Sequence, residues 1–247
     1  MAASRLPHLR LSSSAKPTTT KKPTTTKKAT TTKKETTTKK SVPTSKKDIV
    51  ALYNAATSKA SESKPSYKKV TKTSLENLSM GALAKIKVVR EAVGDFLGEG
   101  ESSKNVSKGK FDGKELKVSK LTADDVTDAT CKLSSDGKYY EVEITVKNET
   151  NPLKGSSALG KFTNDYKDVQ EIKDGLQEAG AGLGGITVNT TKVVIKAKIS
   201  KDGKKFSAIS YTIKMSAVLT DVKYTIAKVA KATTDLNTYV DFTSFGY

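Results

Sequence analysis

From Thr191 to Tyr247 the chain alternates apolar and polar side chains, and this constrains its fold more than any other feature. Val193, Ile195, Ala197 and Ile199 recur at every second residue; Asp202-Gly203 interrupts, and Ile209, Tyr211, Ile213 and Met215 resume the pattern. A period of two puts successive side chains on opposite faces of a strand, one for a core and one for water. Asp-Gly favours a tight hairpin because both residues tolerate positive φ. The segments TKVVIKAKIS, KFSAISYTIKMSAVL, DVKYTIAKVAK and NTYVDFTSFGY are therefore expected to form four strands of an up-and-down meander.

The same logic applies upstream. ATCKLSSDGKYYEVEITVKN predicts a hairpin around Asp136-Gly137, with Tyr140, Val142, Ile144 and Val146 on the core side. Ser66–Leu78 has strand-like composition, and short strands are expected around Phe111 and Leu116–Val118. A polar, Gly-rich connection is expected to run to about Gly109.

Three segments switch to helical spacing. Ser45, with Asp48 three residues on, reads as an N-cap for a helix over 46–61, whose stripe is Ile49, Leu52, Tyr53 and Ala56. Leu83, Ile86, Val89, Val93 and Phe96–Leu97 share one face of a helix over 81–97 that Gly98 ends. Tyr166, Val169, Ile172 and Leu176 do the same over 165–179. Thr122 is expected to cap one helical turn, with Asp124 and Asp125 at its positive end. The predicted class is α+β: one domain with a curved, mostly antiparallel meander sheet and three amphipathic helices packed on one face.

Residues 1–46 follow other rules. KPTTTK, KPTTTK, KATTTK and KETTTK repeat from Lys16 to Lys40, a six-residue unit too short to be a packable structural repeat. Residues 1–47 carry 13 Lys and Arg against the single acid Glu35, so +12 of the net +18 lies in this fifth of the chain. Like charges, Pro and Thr predict a disordered, extended stalk, and residues 47–247 are expected to form the folded domain. At roughly 3 Å per residue the repeat spans up to about 75 Å.

A Thr/Lys-rich segment, then DIVALYNAA, then LTADDVTDATCKLSSDGKYYEVEITVKNETNP, then a β meander resembles uncharacterised exported, lipoprotein-like surface proteins of gut-type Firmicutes. The resemblance covers about residues 47–247. It implies one domain held out from a surface by a low-complexity linker, and no known activity comes with it. The start MAASRLPHLRLSSSA shows neither the apolar stretch of a secretory signal nor a lipidated cysteine. A cell-surface or secreted location is expected, with a cytoplasmic one as the alternative.

Composition excludes much catalytic chemistry. The only histidine, His8, lies in the stalk, so the domain has no Ser-His-Asp, Cys-His or His-rich metal constellation. Cys131 alternates with Ala129 and Leu133 and reads as a buried strand residue. GAGLGG at 180–185 follows a helix and precedes a strand, the reverse of a dinucleotide fingerprint, so it reads as a helix stop and loop. Glu141 and Glu143 share a strand face and read as surface residues, Asp124, Asp125 and Asp128 lack the spacing of a calcium loop, and Asp-Gly at 112, 136 and 202 reads as hairpin turns. No stretch approaches the ~20 apolar residues of a membrane span.

The expectation is therefore a non-enzymatic binding or interaction module with no cofactor and no metal. The helix–sheet interface is expected to be a filled core or, in the alternative, an apolar cavity walled by Leu83, Ile86, Val93, Phe96, Tyr211 and Met215, its ligand a lipid or another apolar molecule. The alternative is a polyanion binder contacting anionic wall polymer or nucleic acid through Lys21, Lys22, Lys27, Lys28, Lys33, Lys34, Lys39 and Lys40. Nucleic acid is the less favoured partner, because residues 11–47 hold no Arg fork and no aromatic platform.

Overall fold

The structure, a computed structural model, describes residues 41–81, 87–225 and 227–247. The eight lysines named for polyanion contact, with Leu83 and Ile86, lie outside the described residues. Lys40–Tyr247 forms one compact unit.

The sheet is antiparallel throughout. Its strands are β1 (Ser66–Ser79), β2 (Gly100–Val106), β3 (Val126–Leu133), β4 (Tyr139–Val146), β5 (Ala181–Gly182), β6 (Gly185–Ser200), β7 (Phe206–Tyr224) and β8 (Ala227–Gly246). The order is β2-β1-β8-β7-β6-β4-β3, with β5 paired to β7 off that path. Register carries the alternation across strands. Ala129, Ile144, Ile195, Tyr211, Val240 and Thr71 face one another in turn across β3, β4, β6, β7, β8 and β1. Directly paired residues point the same way, so this row forms one line of the helix-covered inner face.

Three helices cover that face: α1 (Lys46–Ser63), α2 (Lys87–Leu97) and α3 (Val169–Glu178). Ser45 caps α1, its hydroxyl accepting the Asp48 N–H at 3.1 Å, as the sequence indicated. α1 buries Ile49, Val50, Tyr53, Ala56, Thr57 and Ala60, its large apolar side chains each contributing roughly 1.5–3 kcal/mol. Tyr53 packs edge-on against Phe206 and shares a hydrogen bond with the Tyr211 hydroxyl at 3.0 Å. The α+β class, the antiparallel curved sheet and the helical layer agree with the sequence reading.

Several elements differ. The four-strand meander is three longer strands, because DVKYTIAKVAK is a turn with its two flanks: Tyr224 pairs with Ala227 and the chain reverses between them. The alternation breaks there because Asp221 takes φ +50°. Val222 is buried where Asp221 is exposed, two inward residues therefore fall three apart, and the run looks like a fresh strand. No strand forms at Phe111 or Leu116–Val118, which lie in a loop, and Asp112-Gly113 is a turn within that loop rather than a hairpin. The polar segment before Gly109 supplies β2, an edge strand whose residues are exposed from Gly100 to Asn105. An edge strand with no face to bury carries no apolar alternation, so its sequence gives no strand signal. Cys131 is half-buried rather than buried, since β3 is the opposite edge, and burial raises its thiol pKa.

Candidate functional site

The inner face has two ends. Around Tyr211 it is filled by α1 and the 3-10 turn at Leu159–Lys161, with Phe162 edge-on to Tyr211 at 5.2 Å. Towards the β7–β8 turn it is covered by α2 and α3, and there the core divides. Met80, Val222, Val229 and Ala232 form a second buried cluster, flanked by Leu78, Val93, Leu183 and Leu219.

A cleft lies between this end of the sheet and the α2–α3 pair. Its inner part is an apolar slot of about 70 Å³, walled by Val93 and Phe96 of α2, Ile172 and Leu176 of α3, and Ala217 and Leu219 of β7. Its outer part is a cavity of about 270 Å³, walled by Thr71 and Thr73 of β1, Met215, Leu236 and Thr238, and Asn164–Lys167. Leu97 lines both. The two parts adjoin along the strands: Met215 is two residues from Ala217 on β7, and Leu236 is two from Thr234 on β8. Such neighbours on one strand face are roughly 7 Å apart.

A glycine shapes the slot. A Cβ on Gly175 would lie 1.9 Å from the Phe96 ring, so the ring seats directly on the α3 backbone. Asp168 caps α3 reciprocally with Glu171, which aligns the helix start with the preceding loop.

That loop builds the mouth. The Glu149 carboxylate accepts the Ala158 and Leu159 N–H groups at 2.9 and 3.2 Å. Lys161 donates to both oxygens of buried Asp125 at 2.8 Å. Burial pushes the Asp125 carboxyl up, but the hydrogen bonds from Lys161 and Thr122 outweigh it and hold the group below its usual range. Gly160 allows the loop to close, since a Cβ there would lie 2.2 Å from the Leu153 carbonyl oxygen.

Lys69 ties the mouth to the sheet. Its side chain is 7 % exposed, and its Nζ lies 2.5 Å from Asp165 Oδ1, 3.2 Å from Glu115 Oε2 and 5.5 Å from the Phe242 ring centroid. Lys104 holds the other Glu115 oxygen at 2.5 Å. Burial alone would raise the Glu115 pKa; the Lys104 hydrogen bond and the charge of Lys69 reverse that and lower it. A buried cation needs this satisfaction, because an unpaired one costs several kcal/mol. By residue type alone Lys69 does not stand out among the many lysines of the chain. Its signal was register: Tyr67, Lys69, Thr71 and Thr73 share a face that begins in the core.

Of the six residues named for a cavity wall, Val93 and Phe96 line the slot and Met215 lines the mouth. Tyr211 sits apart in the filled core, where its hydroxyl needs a partner and has Tyr53. Leu83 and Ile86 fall outside the described residues.

The outer face of the sheet holds paired charges. Glu141 lies 3.4 Å from Lys132 and 3.3 Å from Lys198, and Glu143 lies 3.3 Å from Lys196. An open trough of about 450 Å³ runs over these pairs to Asp241, whose carboxyl is raised by burial. Among the described residues no group of three His, Cys, Asp or Glu side chains is placed to hold a metal ion, and no helix is long and apolar enough to cross a membrane. No family model, no curated protein and no solved structure matches the chain.

Proposed function

We propose that the domain is a non-enzymatic binding module, carried at the cell surface, that takes an apolar chain between the α2–α3 pair and the distal end of β7 and β8. The observation that carries this reading is the slot itself: an apolar space where the core splits into two clusters, adjoining a wider cavity that has several polar side chains in its wall. Small-molecule sites are roughly 300–1,000 Å³, concave and mostly apolar with a few polar groups at one end. The slot is smaller than that alone and reaches the range only together with the mouth.

Titration with a neutral, environment-sensitive naphthylamine dye tests this. The expected result is saturable fluorescence enhancement at one dye per chain, weakened several-fold by Ala217→Leu, which fills the slot, and retained by Leu176→Ala, which widens it. No enhancement up to the solubility limit of the dye would overturn the reading. The surface location rests on the Lys/Thr repeat and the resemblance described above. Protease added to intact cells is expected to degrade the domain, and full protection would refute that location.

A further inference from the structure

The mouth has a charge imbalance that specifies one end of a ligand. Two lysines, Lys154 and Lys167, and one carboxylate, Asp165, line it. Asp165 is matched by Lys69, and Lys154 by Glu171 at 2.6 Å. Lys167 is the exception. Among the described residues it has no carboxylate within 4.0 Å, and its Nζ lies 5.4 Å from the centroid of the Phe96 ring. Phe96 is a wall of the apolar slot, while Lys167 is a wall of the mouth. Among the described residues that line the mouth, Lys167 is thus the cation without a carboxylate partner, and it stands where the apolar slot and the mouth adjoin.

Its polar surroundings complete the pattern. Asn164, Thr71, Thr73, Ser102 and Thr238 line the same cavity, and Thr73 and Thr238 are within 3.3 Å of each other through their hydroxyls. Hydroxyls and an amide beside a lysine are donors suited to a compact anionic oxygen cluster. The apolar slot runs away from them along the inner face of β7 and β8.

Granted the apolar slot proposed above, we infer that the ligand is an anionic amphiphile: a single alkyl chain in the slot, and a carboxylate or phosphate head held at the mouth by Lys167. Head and tail are then separated by the Phe96–Leu97 partition, and the Phe96 ring carries the lysine on one face of the junction. Lys154 stays with Glu171 and contributes no free charge.

Three competitors with the same tetradecyl chain, displacing the neutral dye from the full-length protein, test this: tetradecanol, tetradecanoate and tetradecyl phosphate. The expected result is that one or both anions compete roughly tenfold or more better than the alcohol, the gain of a charge-assisted hydrogen bond. Which anion wins identifies the head group. Lys167→Gln is expected to bring the anion-to-alcohol ratio to about one, measured within each variant, and Lys167→Arg to keep the preference. Lys167 is half-buried against the Phe96 ring, so urea melts of both variants accompany the titration to verify that the fold is kept. Equal competition by all three overturns the anionic head but leaves the apolar slot standing. A preference that survives Lys167→Gln overturns the assignment to Lys167. Dye that never binds, with no competitor effect, overturns the slot and this inference together.

Discussion

Tyr53 and Tyr211 are both fully buried, and each supplies the hydroxyl partner of the other at 3.0 Å. Burial raises both pKa values, so the pair stays neutral and cannot serve as an acid near neutral pH. Its role is to satisfy two polar groups that anchor α1 to the centre of the sheet. Tyr53→Phe or Tyr211→Phe alone strands one buried hydroxyl and is expected to cost about 1–3 kcal/mol. The double variant removes both groups and is expected to cost less than the sum of the singles. Urea unfolding of the four proteins measures the coupling, and strictly additive losses would refute the pairing. At the same scale Lys69 shows how a residue type common on surfaces becomes structural once its register turns it inward.

Between elements, the α2–α3 contact depends on a missing side chain. Helix interiors disfavour glycine by about 1 kcal/mol relative to alanine, so Gly175 in α3 needs a reason. The reason is the Phe96 ring, which occupies the space a Cβ would take. Gly175→Ala in the native background is expected to lose about 1–3 kcal/mol through overpacking. In a Phe96→Ala background the same change is expected to be stabilising, by up to about 1 kcal/mol of helix propensity. The reversal of sign in thermal or urea melts is the readout; destabilisation in both backgrounds would mean that something other than Phe96 requires the glycine.

For the molecule as a whole, the compact unit begins at Lys40, and Val42 packs against the core ahead of the Ser45 cap. A truncation that spares the fold must therefore cut before Ser41, not at residue 47. Deleting residues 1–40 removes 11 Lys and Arg and one acid, lowering the net charge from +18 to +8. The expected outcome is an unchanged thermal midpoint, because the core remains intact. Retention on heparin at low salt is expected to drop sharply, since charge density alone drives such contacts and they weaken steeply with salt. Equal retention before and after deletion would shift polyanion binding to the folded domain.

Much of this protein was legible in its sequence because local rules decide it. Alternation of period two fixed which side of β4, β6 and β7 faces the core. Asp136-Gly137 and Asp202-Gly203 marked two hairpins, while Ser45 and Thr122 marked two helix starts. These depend on neighbours a few residues away, so the chain states them directly. The candidate site was only partly legible: Val93, Phe96 and Met215 line the cleft, but its mouth was invisible. Lys69 meets Asp165 across 96 residues, Phe96 meets Gly175 across 79, and β2 is a strand only because β1 offers it an edge. Which lysine is neutralised and which stands free follows from those long-range meetings. The pattern of burial belonged to the sequence; the place where burial stops short, and the charge left at its rim, belong to the tertiary structure, because distance through space and not along the chain decides both.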